Sequence, residues 1–381
     1  MVTSSALSGG DSARRATLLA FAFAALLASA AAPQDVDVHL YLIGDAGAPA
    51  KDRPEPVLSA LRGELQRDPL RSFTVFLGDN VYPRGLPAAG DPARAESERR
   101  LLEQVRVARA GGMGFLFVPG NHDWDRHGED GWNSIKRQAA YVLEQGGAAA
   151  RFEPRGGCPG PAPLLLGERL LLVALDTHWW LHPNAKPTQP GDGCASVTPD
   201  EIVTALRELA VAAAPRQVVV AAHHPLLSGG GHGGHFDWKD HVFPLRAVKG
   251  WLWLPLPVIG SAYPLAREAG LFAQDMTSPP YRRMVEALHP ALAAGRPLAW
   301  AAGHEHNLQV LEGKDVRHVL VSGAGIFGHT KEPQRIRETR FLSGEAGFMR
   351  LDVLRDGTVD LVVLTVDGKG NAREAFSTRL E

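Results

Sequence analysis

The chain has 381 residues, 45% of them hydrophobic and 22% charged, with a formal net charge of −2. That length and apolar content suffice for one large domain, or two smaller ones, with a sizeable core. The near-neutral balance and the lack of a long Lys/Arg run leave no electrostatic footprint for nucleic acid, so a small or medium substrate is expected.

At the start of the chain, Arg14-Arg15 precede the apolar stretch Ala16 to Ala28, and Ala28-Ser29-Ala30 follows as a small-x-small site. This is the layout of a secretory signal peptide over residues 1–30 and predicts an exported protein, periplasmic or secreted. The stretch falls short of the ~20 apolar residues of a membrane span, although an uncleaved anchor is the alternative. The paired arginines also fit, loosely, the twin-arginine export route.

From Val36 onward, short apolar runs alternate with stretches of helical spacing. The runs Val36 to Ile43, Phe73 to Leu77, Phe115 to Val118, Leu170 to Leu175, Val218 to Ala222 and Leu298 to Ala302 read as strands, and Glu96 to Ala110 and Pro199 to Ala212 as helices. That alternation is an α/β pattern. Cys158 and Cys194, the two cysteines, sit in the Gly/Pro-rich loops "RGGCPGP" and "PGDGCAS", with no CxxC or Cys/His spacing of a thiolate metal site. In an oxidising compartment they would pair; otherwise they are free thiols. Near the C-terminus Val316 to Ser322, Gly347 to Leu354 and Val359 to Val366 read as strands without intervening helices, the last two joined by Arg355-Asp356-Gly357. They predict a second, partly antiparallel sheet packed on the first. The domain is drawn over 36–366, with 367–381 as a C-terminal tail.

Polar residues gather where the early runs stop. "GDAG" follows Ile43, "GDNVY" follows Leu77, "PGNHD" follows Val118, "HHP" follows Ala222 and "GHEH" follows Ala302. Loops at the carboxyl ends of strands converge in open α/β sheets, which is where ligands bind. Taken singly, a Gly-Asp is a turn and a loop tyrosine is packing. Five loops supplying Asp, Tyr, Asn and His together carry metal-ligand chemistry.

As a set, these motifs resemble the calcineurin-like metallophosphoesterases. Asp79-x-x-Tyr82, "VVAAHHPLLS" and "AAGHEHNLQVLEG…VLVSGAGIFG" are similar, more narrowly, to the small tartrate-resistant type of purple acid phosphatase. The resemblance runs from about Leu40 to Gly328 and implies a four-layer α/β/β/α sandwich of two mixed sheets around a dinuclear metal centre. It puts Asp79 between the two ions, Asp45, Tyr82 and His306 on one, and Asn121, His223 and His304 on the other. In other branches of the superfamily the first motif is Asp-x-His and that histidine is a ligand; here Gly47 stands in its place and Tyr82 would fill the vacancy. A phenol whose ordinary pKa is near 10 binds a trivalent ion far better than a divalent one, so the implied pair is Fe(III) with divalent Fe, Zn or Mn.

The same resemblance makes His122 a contact for substrate phosphate, with Asp123 orienting its ring, and His232 the proton donor to the departing alkoxide, with His235 as a competitor. His224 is left out of the ligand set, and "LDTHWW" (Asp176 to Trp180) is assigned to packing. The implied activity is hydrolysis of phosphate monoesters by attack of metal-bound hydroxide. One alternative is a divalent-metal phosphodiesterase or nucleotide pyrophosphatase on the same fold; another is a non-catalytic metal- or phosphate-binding protein. Residues 236–290 exceed the small enzymes as an insertion. Its apolar, aromatic stretch 249–270 would fold onto the core, form a lid, or meet a membrane surface or partner.

Overall fold

The computed structural model describes residues 35–247, 252–256 and 258–381. The signal-peptide expectation, and residues 249–251 and 257 of the apolar stretch, lie outside the described residues. No described helix is long and apolar enough to cross a membrane.

In chain order the strands are β1 (Val36–Ile43), β2 (Ser72–Phe76), β3 (Gly114–Phe117), β4 (Ala150–Phe152), β5 (Ala162–Leu166), β6 (Leu170–Ala174), β7 (Gln217–Ala221), β8 (Ala299–Ala302), β9 (Leu308–Glu312), β10 (His318–Ser322), β11 (Thr339–Ser343), β12 (Gly347–Leu354), β13 (Val359–Val366) and β14 (Ala372–Leu380). The helices are α1 (Pro56–Leu65), α2 (Arg94–Ala108), α3 (Gly131–Gly146), α4 (His178–Leu181), α5 (Pro199–Ala212), α6 (Trp238–Val242), α7 (Ala262–Glu268) and α8 (Pro279–Gly295). Two seven-stranded mixed sheets form, ordered β14-β13-β12-β1-β2-β3-β4 and β11-β9-β10-β8-β7-β6-β5.

Strand β1 shows why the sheets face each other. Its side chains alternate, so Val38, Leu40 and Leu42 join Leu172, Val219 and Ala301 between the sheets, whereas Tyr41 and Ile43 face α1 and α2. Both faces are apolar because both are covered. On the far side of the second sheet, Ile202 and Leu206 of α5 and Met284 and Leu288 of α8 pack on Val173, Val220 and Trp300. The result is the four-layer α/β/β/α sandwich of two mixed sheets.

Three expectations change. Of the three C-terminal strands expected in a second sheet, β10 does lie there, antiparallel to β9, but β12 pairs antiparallel with β1 and, with β13, extends the first; the second is built from β5 to β11. The stretch set apart as a tail carries β14, the edge strand paired with β13. The helix α8, which lies mostly within the range set apart as an insertion, packs in the outer layer.

Cys158 and Cys194 form a disulfide that closes 36 residues between β4 and α5. Loop closure of that size restricts the unfolded chain by about 4 kcal/mol. The double variant Cys158→Ser/Cys194→Ser should therefore unfold at lower denaturant concentration without a change in secondary structure, as followed by circular dichroism. An unchanged midpoint would mean that the bridge adds nothing.

Candidate metal centre

Each motif leaves the sheet at the carboxyl end of a parallel strand: Asp45 after β1, Asp79 and Tyr82 after β2, Asn121 and His122 after β3, His223 and His224 after β7, His304 and His306 after β8. The first three strands lie side by side in one sheet and the last two in the other, so the site spans the rim of the sandwich. Asp45, Asp79 and His304 all adopt positive φ, of 58, 54 and 70°. Non-glycine residues avoid that region, and three such turns at one site mark backbone bent to aim side chains.

Tyr82 Oη lies 2.9 Å from Asp45 Oδ1 and 3.1 Å from His306 Nε2, and His306 Nε2 is 3.4 Å from Asp45 Oδ1. In a second triangle Asn121 Oδ1 is 2.9 Å from His223 Nε2 and 3.1 Å from His304 Nδ1, and the two imidazole nitrogens are 3.3 Å apart. Asp79 joins the two groups, its Oδ1 3.5 Å from His223 Nε2 and its carboxylate close to that of Asp45. Donor atoms ~2.0–2.2 Å from one ion, at right angles to each other, are ~3 Å apart, which is the spacing of both triangles.

Protonation sharpens the point. His223 Nδ1 donates to Leu77 O at 2.8 Å and His304 Nε2 donates to Gln274 O at 2.9 Å. Burial holds His304 well below its ordinary pKa, so its ring is neutral and carries its single proton on Nε2. His304 Nδ1 therefore presents a lone pair to an amide oxygen that also presents lone pairs. Without a cation, burial pushes the Asp45 carboxyl up to about 7 and the Tyr82 phenol well above its ordinary range, and brings His306 down to about 3. Neutral imidazoles, an amide oxygen and anions that need a positive neighbour fit metal ions.

His224 is differently employed. Its Nδ1 meets Thr177 Oγ1 at 2.8 Å and its Nε2 meets Gln274 Oε1 at 3.0 Å, so both nitrogens already have partners, although one lies within 4.8 Å of ligand atoms of His223 and His304. Nor is there room for a histidine at position 47. A Cβ on Gly47 would lie 2.4–2.5 Å from backbone atoms of Asp79, Asn80 and Val81. The loop that delivers Tyr82 occupies that space, with Tyr82 N donating to Gly47 O at 3.1 Å.

A cavity of about 410 Å³ opens over the centre, lined by Asp79, Asn121, His122, His232, His304 and His306. His235 is exposed and does not line it. His232 lies against the His304 ring, 4.0 Å between centroids, with Nδ1 2.9 Å from Asp275 Oδ1. The expected His122–Asp123 pair does not form: His122 Nδ1 donates to Pro83 O at 2.6 Å, while Asp123 accepts from the amides of Gly120, Asn80 and Val81 and pins the β2 and β3 loops together.

Several residues escaped sequence reasoning. Arg126 and Lys331 add positive charge to the cavity wall. Asp125, Arg126 and His127 form a left-handed turn at φ of 54, 50 and 69° that places Arg126 there. Glu305, the middle acid of "GHEH", accepts from Ser228 Oγ and Gly233 N at 3.1 and 3.0 Å and so ties the His232 loop to the β8 loop. Asp275 and Gln274 come from the insertion, where no motif marks them.

In "LDTHWW", Asp176 just before α4 accepts from Trp179 N at 3.1 Å and Trp124 Nε1 at 2.8 Å. His178 and His182, 0% and 2% exposed, stack with His127 and Trp124, and their ring nitrogens have no protein partner.

Solved structures share this arrangement of elements. GAP50, "the anchor in the inner membrane complex of Plasmodium", superposes at TM-score 0.54 and 17% identity over 91% of this chain and 89% of its own. The purple acid phosphatase PPD1 of yellow lupin (Lupinus luteus) superposes at 0.50 and 13% identity over 89% of this chain and 53% of the lupin enzyme. PhoD matches at 0.50 and 10%, over 91% and 69%. The chain has the metallophosphoesterase fold. No protein-family model and no curated protein sequence matches it.

Burial lowers the pKa of His182 to about 4 from 6.5. The unfolded chain then binds more protons than the folded one between those values, so stability falls as pH drops through that window. Melting curves of His182→Phe should lose part of the acid destabilisation seen in the parent between about pH 6.5 and 4. Parallel pH profiles would show that His182 does not titrate on unfolding.

Proposed function

We propose that this metallophosphoesterase-fold chain is an exported phosphate monoesterase of the purple acid phosphatase kind. The observation that carries the reading is the pair of close-set triangles of ligand-type atoms flanking Asp79, buried and short of positive charge. Asp45, Tyr82 and His306 would hold one ion and Asn121, His223 and His304 the other, with Asp79 shared. When bound, the pair would supply a water of lowered pKa and electrophilic assistance to phosphorus. Tyr82 as a ligand favours Fe(III) for the first position, beside divalent Fe, Zn or Mn.

The chain's own groups supply the rest. Leu77 O and Gln274 O fix the tautomers of His223 and His304, so their lone pairs stay aimed inward. His122, held by Pro83 O, and Arg126 stand where a phosphate would need countercharge. His232 Nδ1 lies 2.9 Å from Asp275 Oδ1 and 2.8 Å from Arg267 Nη2, which leaves Nε2 as the nitrogen that would pass a proton to the departing alcohol oxygen. The substrate is expected to be a small phosphorylated molecule. Export rests on the signal-like residues 1–30. Fold alone does not decide activity, since GAP50 shares it as an anchor. The complete donor set favours catalysis here.

Aerobically purified protein should show a broad visible band that Tyr82→Phe abolishes, and two equivalents of metal by elemental analysis. A colourless, fully active protein would exclude Fe(III) at Tyr82 and move the reading to divalent phosphodiesterases. His223→Ala should lose one metal equivalent and His224→Phe neither; the reverse would exchange their roles. Turnover of p-nitrophenyl phosphate should exceed that of its bis ester, and an inactive metal-loaded protein would sink the enzymatic reading.

A further inference from the structure

One wall of the cavity is unlike the rest. Arg126, His122 and Lys331 are charged or polar, whereas the side made by the insertion sets Tyr263, Phe272 and Ala273 beside the polar Arg267, Gln274 and Asp275. Tyr263 lies on α7 and Phe272 just beyond it, with their rings 6.1 Å apart and at 67°. Tyr263 is 38% exposed, Phe272 46% and its neighbour Leu271 75%. The angle and spacing leave no slot in which a flat ring would be sandwiched. They make a continuous shelf, and Ile259, at 75%, adds exposed apolar surface on the same insertion.

The shelf is fixed to the chemistry. Arg267, one turn after Tyr263, is 5.7 Å from that ring and donates to Asp275, whose carboxylate holds His232. The insertion thus carries both the apolar wall and the partner of the histidine assigned to the leaving oxygen. Tyr263 and Phe272 line the same cavity as His232 and so offer apolar surface to whatever that oxygen carries. Apolar surface of this kind, open to water at the mouth of a polar cavity, is costly unless something covers it in use.

The geometry points to a substrate class: phosphate monoesters whose alcohol carries an extended apolar chain, with the phosphate over the metal centre and the chain along Tyr263 and Phe272. This rests on the monoesterase reading for the phosphate end, while the shelf itself does not depend on turnover. The insertion is then a specificity wall beside the site.

The test is calorimetric binding of non-hydrolysable n-alkylphosphonates, ethyl to octyl, to the metal-loaded full chain, with hydrolysis of the matching alkyl phosphates followed in parallel. These primary alcohols share nearly the same basicity, so chain length varies burial and not leaving-group chemistry. Each methylene wholly removed from water would tighten binding about threefold to fourfold. Partial cover by an open shelf should still make octylphosphonate at least tenfold tighter than ethylphosphonate. The slope of log Kd against chain length should fall in Tyr263→Ser/Phe272→Ser and persist in Leu165→Ser, a control at an exposed leucine of β5. A flat series in the parent protein overturns the inference, and if ethyl phosphate is still hydrolysed, the monoesterase reading survives. A slope unaltered by the double variant also overturns it. Chain-dependent binding without hydrolysis of any member upholds the shelf and sinks the monoesterase reading.

Discussion

Mutual repulsion of buried lone pairs is the constraint on which the rest of this structure depends. Asn121 Oδ1, His223 Nε2 and His304 Nδ1 face one another within 3.3 Å, and Asp45 and Asp79 bring two carboxylates into the same buried space. Such an arrangement would scatter in a chain free to choose its rotamers. It is held because strands from two sheets end beside it and because backbone carbonyls occupy the opposite imidazole edges. The left-handed turns at Asp45, Asp79 and His304 cost about 1–2 kcal/mol each, and the packed strands behind them offset that strain.

The order of the sheets explains how one site draws on the whole chain. Parallel strands β1, β2 and β3 deliver three loops to the rim from one sheet, and β7 and β8 deliver two from the other. The apolar layer between the sheets sets the distance across which these loops meet. Asp123 on one side and Glu305 on the other then lock neighbouring loops to each other, so that ligand groups sit on cross-braced turns and not on free ones.

Much of this was legible in the sequence because the central strands are buried on both faces. Val36 to Ile43 and Val218 to Ala222 read as continuous apolar runs, and each ends abruptly in a polar motif. The edge strands were less legible: β14 is rich in charged and polar residues and largely exposed, with no clean alternation, and β11 is half exposed. Which sheet a strand joins is decided by pairing far along the chain, so β12 and β13 were assigned to the wrong layer. Asp123 was misread for a related reason. Adjacency to His122 suggested contact, but consecutive residues in a tight turn point apart. Gln274 and Asp275 reach the centre from an insertion with no periodicity and no motif, where only the folded chain could reveal them.

The tight fit at Gly47 bears on how such sites diversify. With three backbone atoms within 2.5 Å of where a Cβ would lie, the tyrosine loop and a ligating side chain at that position exclude one another. Replacing the phenol therefore does not make room for an imidazole, and introducing the imidazole first would dislodge the loop that carries Asp79. A side chain at position 47 and the observed Asp79–Tyr82 turn cannot coexist unless the turn is rebuilt. The backbone packing at this glycine therefore fixes which side chain can reach the rim from the β1 and β2 loops.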